Sequence, residues 1–200
     1  MSTVSTENWK GLVLAGGKSS RMGRDKATML WNGRTMADHA RYLLLSTKNV
    51  NEVWISRNDG QLDSIPDQTP EIGPLGGLQA AFYKFAPDFP SWVLLLPVDM
   101  PLLKTEMLET LQQAAVATRA VHFKEWELPA AILADEFSLN KLNQVCSEPC
   151  APGVRSLRNL FTLLQAETVS LPMKWESSLL NINTFNDFEK IKGANYECTI

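Results

Sequence analysis

A glycine-containing loop with several basic side chains is the segment whose residue types best suit phosphate chemistry. It runs from Leu14 to Lys26, reads LAGGKSSRMGRDK and follows a short apolar run. Gly16 and Gly17 have no Cβ, so the main chain can approach a ligand closely and offer successive N–H groups to anionic oxygens. Arg21 can contact a phosphate as a planar fork and Lys26 as a point charge. The loop therefore predicts phosphate binding, and a solvated basic loop after a strand is the alternative.

A single aspartate beyond a second apolar run is the candidate metal ligand. Asp99 lies just after the apolar segment Trp92–Leu96. Mg²⁺ keeps several waters and takes one or two protein carboxylates, so one aspartate is enough to hold it against phosphate oxygens. The alternative role for Asp99 is a helix N-cap or a loop carboxylate. The chain has only two histidines and three cysteines, which argues against a centre built from those ligands.

Alternating strands and helices must position these side chains. Strands are predicted at Trp9–Leu14, Val53–Ile55, Trp92–Leu96, Val121–Phe123, Leu128–Leu133 and Thr168–Leu171. Helices are predicted at Ala37–Leu45, Gly76–Phe85, Thr105–Val116 with Thr105 as N-cap, Phe137–Val145, Val154–Leu164 and after a capping box at Thr184–Asp187. This order predicts an α/β fold with a doubly wound, mostly parallel sheet flanked by helices. The loops after Leu14, Ile55 and Leu96 should then face one site at the carboxyl edge of the sheet.

Composition limits the classes of protein that fit. The chain has 200 residues, 44% of them hydrophobic, and a net charge of −3. These values favour one domain spanning residues 1–200 and argue against disorder. An acidic balance offers nucleic acid no electrostatic footprint, and the apolar runs are too short to span a bilayer. We therefore expect no nucleic-acid or membrane partner. A polar N-terminus and an odd number of cysteines favour a cytoplasmic protein.

The segment from Leu14 to Lys26 resembles the signature of the molybdenum cofactor guanylyltransferases, LAGGxSxRMGxDK, at every specified position. The related cytidylyltransferases of the same cofactor pathway tend to carry Ala-Ala-Gly where this chain has Ala15-Gly16-Gly17. Further family segments follow in the same order along the chain, at Gly73–Leu78 (GPLGGL), Asp99–Pro101 (DMP) and Asn181–Thr184 (NINT). The resemblance thus covers nearly the whole length.

The resemblance implies a Rossmann-like fold of the nucleotide-diphospho-sugar transferase type. It also implies transfer of GMP from GTP to molybdenum-bearing molybdopterin, with release of pyrophosphate. Lys26, Arg21 and Asp99 would be catalytic, with Asp99 the Mg²⁺ ligand. The nucleotide would contact residues of the N-terminal half: Leu14, Ala15, Gly16, Gly17, Lys26, Ser56, Asp67, Gly73, Pro74, Leu75 and Asp99. The C-terminal half would bind the acceptor.

Three residues of the C-terminal half are the candidates for acceptor binding. The family suggests that Asn181 and Asn183 face the pterin, although both could equally make local turn bonds. Arg155 offers positive charge for the acceptor phosphate, with a solvated helix face as the alternative.

The nucleotide side contains one departure from the family pattern. Ser56 stands where the family usually has asparagine after the second strand, and a hydroxyl cannot imitate an amide edge. Asn58 is the candidate replacement. Asp67 can accept a bidentate pair from the guanine N–H edge or bind ribose, or it is a plain turn residue.

The sequence leaves two other kinds of function open. One is a cytidylyltransferase, or a nucleotidyltransferase acting on a sugar or alcohol phosphate, with the same fold. Another is a non-catalytic nucleotide-binding or cofactor-delivery protein. The acceptor phosphate is already anionic near neutral pH, so the predicted reaction needs no general base. Family analogy alone suggests cofactor-synthesis proteins or apo-molybdoenzymes as partners.

Overall fold

The computed structural model describes residues 9–16, 25–67, 72–116, 118–147, 154–184 and 186–191. Its strands are β1 (Trp9–Leu14), β2 (Leu30–Trp31), β3 (Arg34–Thr35), β4 (Val50–Ser56), β5 (Ser64–Ile65), β6 (Ser91–Pro97), β7 (Ala120–Phe123), β8 (Ala130–Ala134) and β9 (Glu167–Val169). Its α-helices are α1 (Met36–Leu45), α2 (Pro74–Phe85), α3 (Thr105–Ala114), α4 (Glu136–Ser147) and α5 (Leu157–Leu164). Short 3-10 helices cover Lys26–Thr28, Ala86–Asp88 and Met173–Leu179.

Within these ranges, one seven-stranded sheet forms the centre of the fold, in the order β5-β4-β1-β6-β8-β7-β9. All neighbouring pairs are parallel except those that involve β8, which runs antiparallel to both β6 and β7. The predicted fold class, a mostly parallel sheet flanked by helices, is confirmed. A separate two-stranded hairpin joins β2 to β3.

Helices cover both faces of the sheet, which is why its central strands β1 and β6 are buried along almost their whole length. Val13 and Leu94 point into a core formed with α1 and α3. Leu12 and Leu95 point to the opposite face, where α2, α4 and α5 pack. All four side chains have 0% exposure, and burying each contributes roughly 1.5–3 kcal/mol. These two cores fix the sheet that carries the site.

The strand register brings the predicted loops to one edge. Leu14 pairs with Ser56 of β4 on one side and with Pro97 of β6 on the other. The main-chain N–H of Val98 donates to the carbonyl of Leu14 at 3.1 Å, just beyond the strands. The carboxyl ends of β4, β1 and β6 therefore lie side by side, as the sequence predicts.

At the helix ends, the structure overturns one local prediction, shifts a second and confirms a third. The prediction of Thr105 as a helix N-cap is wrong: the cap is Lys104, which makes no side-chain cap bond, and Thr105 is the first helical residue. Helix α5 begins three residues later than predicted, because the hydroxyl of Ser156 accepts the N–H of Asn159 and starts the helix there. The capping box is confirmed, since the hydroxyl of Thr184 accepts the N–H of Asp187. In the described part of the chain, no helix has the length and apolar character to cross a bilayer.

Candidate active site

A cavity of about 450 Å³ opens at the carboxyl edge of the sheet. The ends of β1 and β6, the start of α2, the β7–β8 loop, the first turn of α5 and the segment after the 3-10 helix Met173–Leu179 surround it. Its lining comprises Leu14, Ala15, Gly16, Asp25, Lys26, Pro74, Pro97, Val98, Asp99, Met100, Glu125, Trp126, Glu127, Leu128, Arg158 and Asn181. Sequence-predicted residues from both halves of the chain therefore meet at one place.

Lys26 and Asp99 form the charged centre of this cavity. The Nζ of Lys26 lies 3.1 Å from Oδ2 of Asp99, and their side chains are 17% and 24% exposed. The same ammonium lies 3.4 Å from Oδ1 of Asn183. A half-buried lysine beside a strand-end carboxylate can stabilise negative charge on a phosphoryl group that enters between them.

The start of a short 3-10 helix positions Lys26. A carboxylate oxygen of Asp25 accepts the N–H of Ala27 at 3.0 Å, which caps the helix Lys26–Thr28. The other carboxylate oxygen of Asp25 pairs with Arg57, and Arg57 also reaches Asp59 at 3.3 Å. Asp25 is thus a capping residue, and Arg57 joins this helix to the end of β4.

A segment near the C-terminal end of the chain holds the main chain of Asp99 in place. Its carbonyl accepts the N–H of Ile182 at 2.8 Å, which places Asn181 and Asn183 beside the cavity. A carboxylate oxygen of Asp187 accepts the N–H groups of Asn183 at 3.2 Å and Thr184 at 2.8 Å. Hydrogen bonding with the Thr184 side chain, and then with these two main-chain N–H groups, lowers the pKa of Asp187 below its usual value.

A second polar corner lies at the end of β4. The hydroxyl of Ser56 donates to Oδ1 of Asp67 at 3.0 Å, and the N–H of Asp67 donates to the side-chain oxygen of Asn58 at 3.0 Å. A Cβ built on Gly16 would lie 3.5 Å from Oδ2 of Asp67. The Asp67 carboxylate therefore lies beside the Gly16 main chain, and Asn58 supports the Asp67 backbone.

Gly77 closes this corner from helix α2. A Cβ at residue 77 would lie 1.9 Å from Oγ and 2.6 Å from Cβ of Ser56, both on a buried side chain. Only glycine fits there without a shift of the helix or the strand. Helix α2 therefore packs directly on the end of β4.

The Gly73-Pro74-Leu75 segment begins α2. Gly73 is the N-cap, at φ +62°, and Pro74 is the first helical residue. Pro74 lines the cavity, whereas Leu75 is buried in the core beneath it. The structure thus brings Pro74 to the site, whereas the predicted residues Gly73 and Leu75 are not among the cavity-lining residues.

Some predicted residues lie elsewhere. Gly17 and Arg21 fall outside the described residues. Arg155 is not among the cavity-lining residues, whereas Arg158 is. The positive charge of Arg155 acts instead on Cys146, whose pKa burial raises to about 11 and Arg155 partly lowers.

Sequence reasoning missed the β7–β8 loop altogether. Glu125, Trp126, Glu127 and Leu128 all line the cavity. The place of this loop in the strand order could have identified it. Because β7 runs parallel to β6, the carboxyl end of β7 reaches the same edge of the sheet as Asp99.

The chain matches the family model described as the MobA-like NTP transferase domain over residues 11–166. A molybdenum cofactor guanylyltransferase from Xanthomonas euvesicatoria is 34% identical over 187 residues, which is 94% of this chain and 96% of that protein. A protein of the same name from Pseudomonas aeruginosa is 32% identical, over 86% of this chain and 89% of its own length.

Solved structures share the fold. Molybdopterin-guanine dinucleotide biosynthesis protein A from Archaeoglobus fulgidus superposes with a TM-score of 0.73 at 20% identity, over 94% of this chain and 99% of that one. The 4-diphosphocytidyl-2C-methyl-D-erythritol synthase from Anaerococcus prevotii gives 0.71 at 12% identity, over 98% and 99%. The architecture is thus common to several nucleotidyltransferases, and the family match confirms the resemblance seen in the sequence motifs. By that match and by its identity to full-length relatives, this chain belongs to the MobA-like NTP transferase family.

Proposed function

We propose that the protein transfers GMP from GTP to molybdenum-bearing molybdopterin and releases pyrophosphate. The observation that carries the proposal is the Lys26–Asp99 pair, 3.1 Å apart in the cavity that Gly16 also lines. Relatives that match over most of the chain are named molybdenum cofactor guanylyltransferases. The names of these relatives and the geometry of the cavity both support nucleotidyl transfer as the class of reaction.

The N-terminal half would hold the nucleotide. The phosphates of GTP would lie against Leu14, Ala15 and Gly16, with Gly17 and Arg21 completing the loop. The guanosine would extend toward Asp67, with the backbone of Gly73–Leu75 beside it. An ionised carboxylate accepts two N–H donors at once, which matches the edge of guanine, or binds the ribose hydroxyls.

In this proposal Ser56 acts on the nucleotide through Asp67. Its hydroxyl already donates to Oδ1 of Asp67, and its side chain is only 2% exposed. The Oδ2 atom, on the side of Gly16, is left to accept from the ligand. This arrangement accounts for a serine where the family usually has asparagine, because a direct contact is not required.

The chemistry would be an in-line displacement. A phosphate oxygen of the acceptor forms a bond to the α-phosphorus of GTP, and the bond from that phosphorus to the pyrophosphate oxygen breaks. The attacking phosphate is already anionic, so no side chain has to remove a proton. Lys26, with Arg21, would stabilise the charge that builds on the α-phosphate and on the leaving group. Orientation of the two substrates supplies the remaining rate enhancement.

Asp99 is the residue that would hold Mg²⁺. Among the described residues, no group of three or more histidine, cysteine, aspartate or glutamate side chains could enclose a metal. That fits an ion which keeps its waters and takes one protein carboxylate together with phosphate oxygens. When bound, Mg²⁺ would neutralise charge on the phosphates.

The C-terminal half would hold the acceptor. Asn181 lines the cavity, and Asn183 lies within 3.4 Å of Lys26. Both amides are therefore close to the place where the acceptor phosphate would enter. Arg155 remains a sequence prediction for this half, and Arg158 is the arginine at the cavity.

Pyrophosphate release tests the proposal. Purified protein with Mg²⁺, GTP and molybdopterin should release one pyrophosphate for each guanine dinucleotide formed, and none should appear without the acceptor. A preference for CTP, or turnover with a sugar phosphate instead of molybdopterin, would assign the site to a different transferase. Tight GTP binding without any turnover would indicate a delivery protein.

A further inference from the structure

The wall of the cavity on the side of β7 and β8 has no role in the nucleotide arrangement described above. Across the sheet edge the order is Ser56 on β4, Gly16 after β1, Asp99 after β6 and then the β7–β8 loop. If the nucleotide extends from Asp99 toward Ser56, the acceptor must enter from the opposite side. This step rests on the proposed function.

Hydrogen bonds to strands β7 and β9 and a ring contact with helix α5 hold the β7–β8 loop in place. The N–H of Trp126 donates to the carbonyl of Phe123 at 3.0 Å, and that of Lys124 donates to Val169 of β9 at 2.9 Å. The Nδ1 atom of His122 lies 2.8 Å from the carbonyl of Trp126, so it carries the proton and donates. The His122 ring also stacks on Phe161 of α5, with centroids 4.7 Å apart. These contacts hold the loop in a defined place.

Glu127, on this loop, forms an ion pair with Arg158 of α5. The Nε of Arg158 lies 2.9 Å from Oε1 of Glu127, and the side chains are 81% and 41% exposed. An exposed pair of this kind contributes little to folding stability. Arg158 also lies in the first turn of α5, where the helix dipole disfavours a positive charge. Folding stability therefore does not explain why Glu127 and Arg158 are paired.

The pair lies where two cavities adjoin. Glu127 and Arg158 line the main cavity and also a neighbouring one of about 420 Å³, whose lining includes His122 and Phe161. Trp126 lines both cavities as well. A flat ring entering this region would meet indole surface on the way to a carboxylate.

We propose that Glu127, held by Arg158, is a specificity-determining residue that accepts hydrogen bonds from the 2-amino-4-oxopyrimidine edge of the acceptor's pterin ring. That edge presents two adjacent N–H donors, which an ionised carboxylate can accept together. Arg158 orients the carboxylate through the 2.9 Å contact. A carboxylate beside the path of an anionic acceptor is repulsive unless it meets such donors.

Guanine presents the same pair of donors, so the location of the residue decides the assignment. Asp67 lies at the end of β4, next to Gly16. Glu127 lies on the far side of Asp99, beyond β6. The structure thus offers one carboxylate for each heterocycle, on opposite sides of the reacting phosphates.

Steady-state kinetics and calorimetry on four proteins test this: the wild type, Glu127→Gln, Arg158→Gln and the control Glu136→Gln. Glu136 is an exposed residue in the first turn of α4 and lines neither cavity, so its variant makes the same change of charge away from the site. We expect Glu127→Gln to raise the KM for molybdopterin about tenfold, as loss of a charged hydrogen bond would, with less than a twofold change in the Kd for GTP. Arg158→Gln should raise that KM less, and Glu136→Gln should leave it within about twofold.

A fluorescence titration with ring fragments separates recognition from general disturbance. Wild type should prefer 6-hydroxymethylpterin to 6-hydroxymethyllumazine, which has a carbonyl in place of the 2-amino group. Glutamine offers one acceptor and one donor, so Glu127→Gln should prefer the lumazine. A weakened loop would not reverse this preference.

Three results would overturn the assignment: an unchanged KM for molybdopterin in Glu127→Gln, an equal rise in Glu136→Gln, or a raised Kd for GTP with an unchanged fragment preference. Failure of the proposed function would look different. In that case the wild type would release no pyrophosphate with molybdopterin, and the fragment titration would still decide whether Glu127 reads the pterin edge.

Discussion

The ammonium of Lys26 and the carboxylate of Asp99 lie 3.1 Å apart although 73 positions separate them in the chain. Neither residue reaches the other by local structure. Lys26 begins a capped 3-10 helix that follows β1 in the chain, and Asp99 lies two residues after β6, the strand that pairs with β1. The parallel pairing of these two strands therefore creates the charged centre of the cavity.

Asp99→Asn tests the role of that centre. We expect kcat to fall by at least about 100-fold, because a lost interaction with transition-state charge acts on the chemical step. The Kd for GTP measured without Mg²⁺ should change less than about threefold. The matched control is Asp88→Asn, because Asp88 precedes β6 and lies at the opposite edge of the sheet. Retention of most activity in Asp99→Asn with Mg²⁺ present would contradict the assigned role.

Gly77→Ala tests the contact between α2 and β4. The new methyl group would meet Oγ of Ser56 at 1.9 Å, so we expect a loss of about 1–3 kcal/mol in the free energy of unfolding. Ser56→Gly removes the obstructing atoms, and the double variant should recover part of that loss. A double-mutant cycle from chemical denaturation measures the coupling. Additive effects of the two substitutions would show that residues 56 and 77 are not in contact.

Ser56→Ala tests whether the serine acts through Asp67. Loss of one hydrogen bond to a carboxylate should raise the Kd for GTP about threefold to tenfold. Asp67→Asn should raise it further, and in that background Ser56→Ala should add little. Asp63→Asn is a suitable control, since Asp63 pairs with Arg41 at 2.6 Å. Independent effects of Ser56→Ala and Asp67→Asn would instead favour a direct contact between Ser56 and the nucleotide.

The Asp187 cap gives a pH prediction. Hydrogen bonding from Thr184 lowers the pKa of Asp187 below the ordinary value of 3.8. A lowered folded-state pKa means that the ionised cap adds stability above pH 3.8, and that this contribution is lost as the pH falls through the folded-state value. The melting temperature of wild type should therefore exceed that of Asp187→Asn at pH 7, and the gap should narrow as the pH approaches 3. A gap that stays constant with pH would rule out the charge of Asp187 as its source.

Buried strands and the phosphate side of the site are predictable from the sequence because their signals are local. Five consecutive apolar residues, Trp92–Leu96, predict a buried strand, and the adjacent glycines after Leu14 predict a phosphate-binding loop. The hairpin of β2 and β3 has a local signal too, the Asn32-Gly33 turn with φ of +48° and +80°, which suits a tight hairpin. Strands of only two residues have no periodicity, so the sequence pattern does not predict this hairpin.

The acceptor side could not be predicted in the same way. Glu127 and Arg158 meet only because β8 inserts antiparallel between β6 and β7, which carries the β7–β8 loop to the active edge. No pattern in the sequence specifies that insertion. The contact of Gly77 with Ser56 is likewise a product of packing between distant elements, so the sequence alone shows a glycine in a helix and no reason for it.

The most direct test of the central claim is pyrophosphate release measured with molybdopterin, Mg²⁺ and each nucleoside triphosphate in turn. The account predicts turnover with GTP, at least about tenfold weaker use of CTP as judged by kcat/KM, a difference of about 1.4 kcal/mol, and no release in Asp99→Asn. Equal or better turnover with CTP, or release that does not depend on molybdopterin, would contradict it.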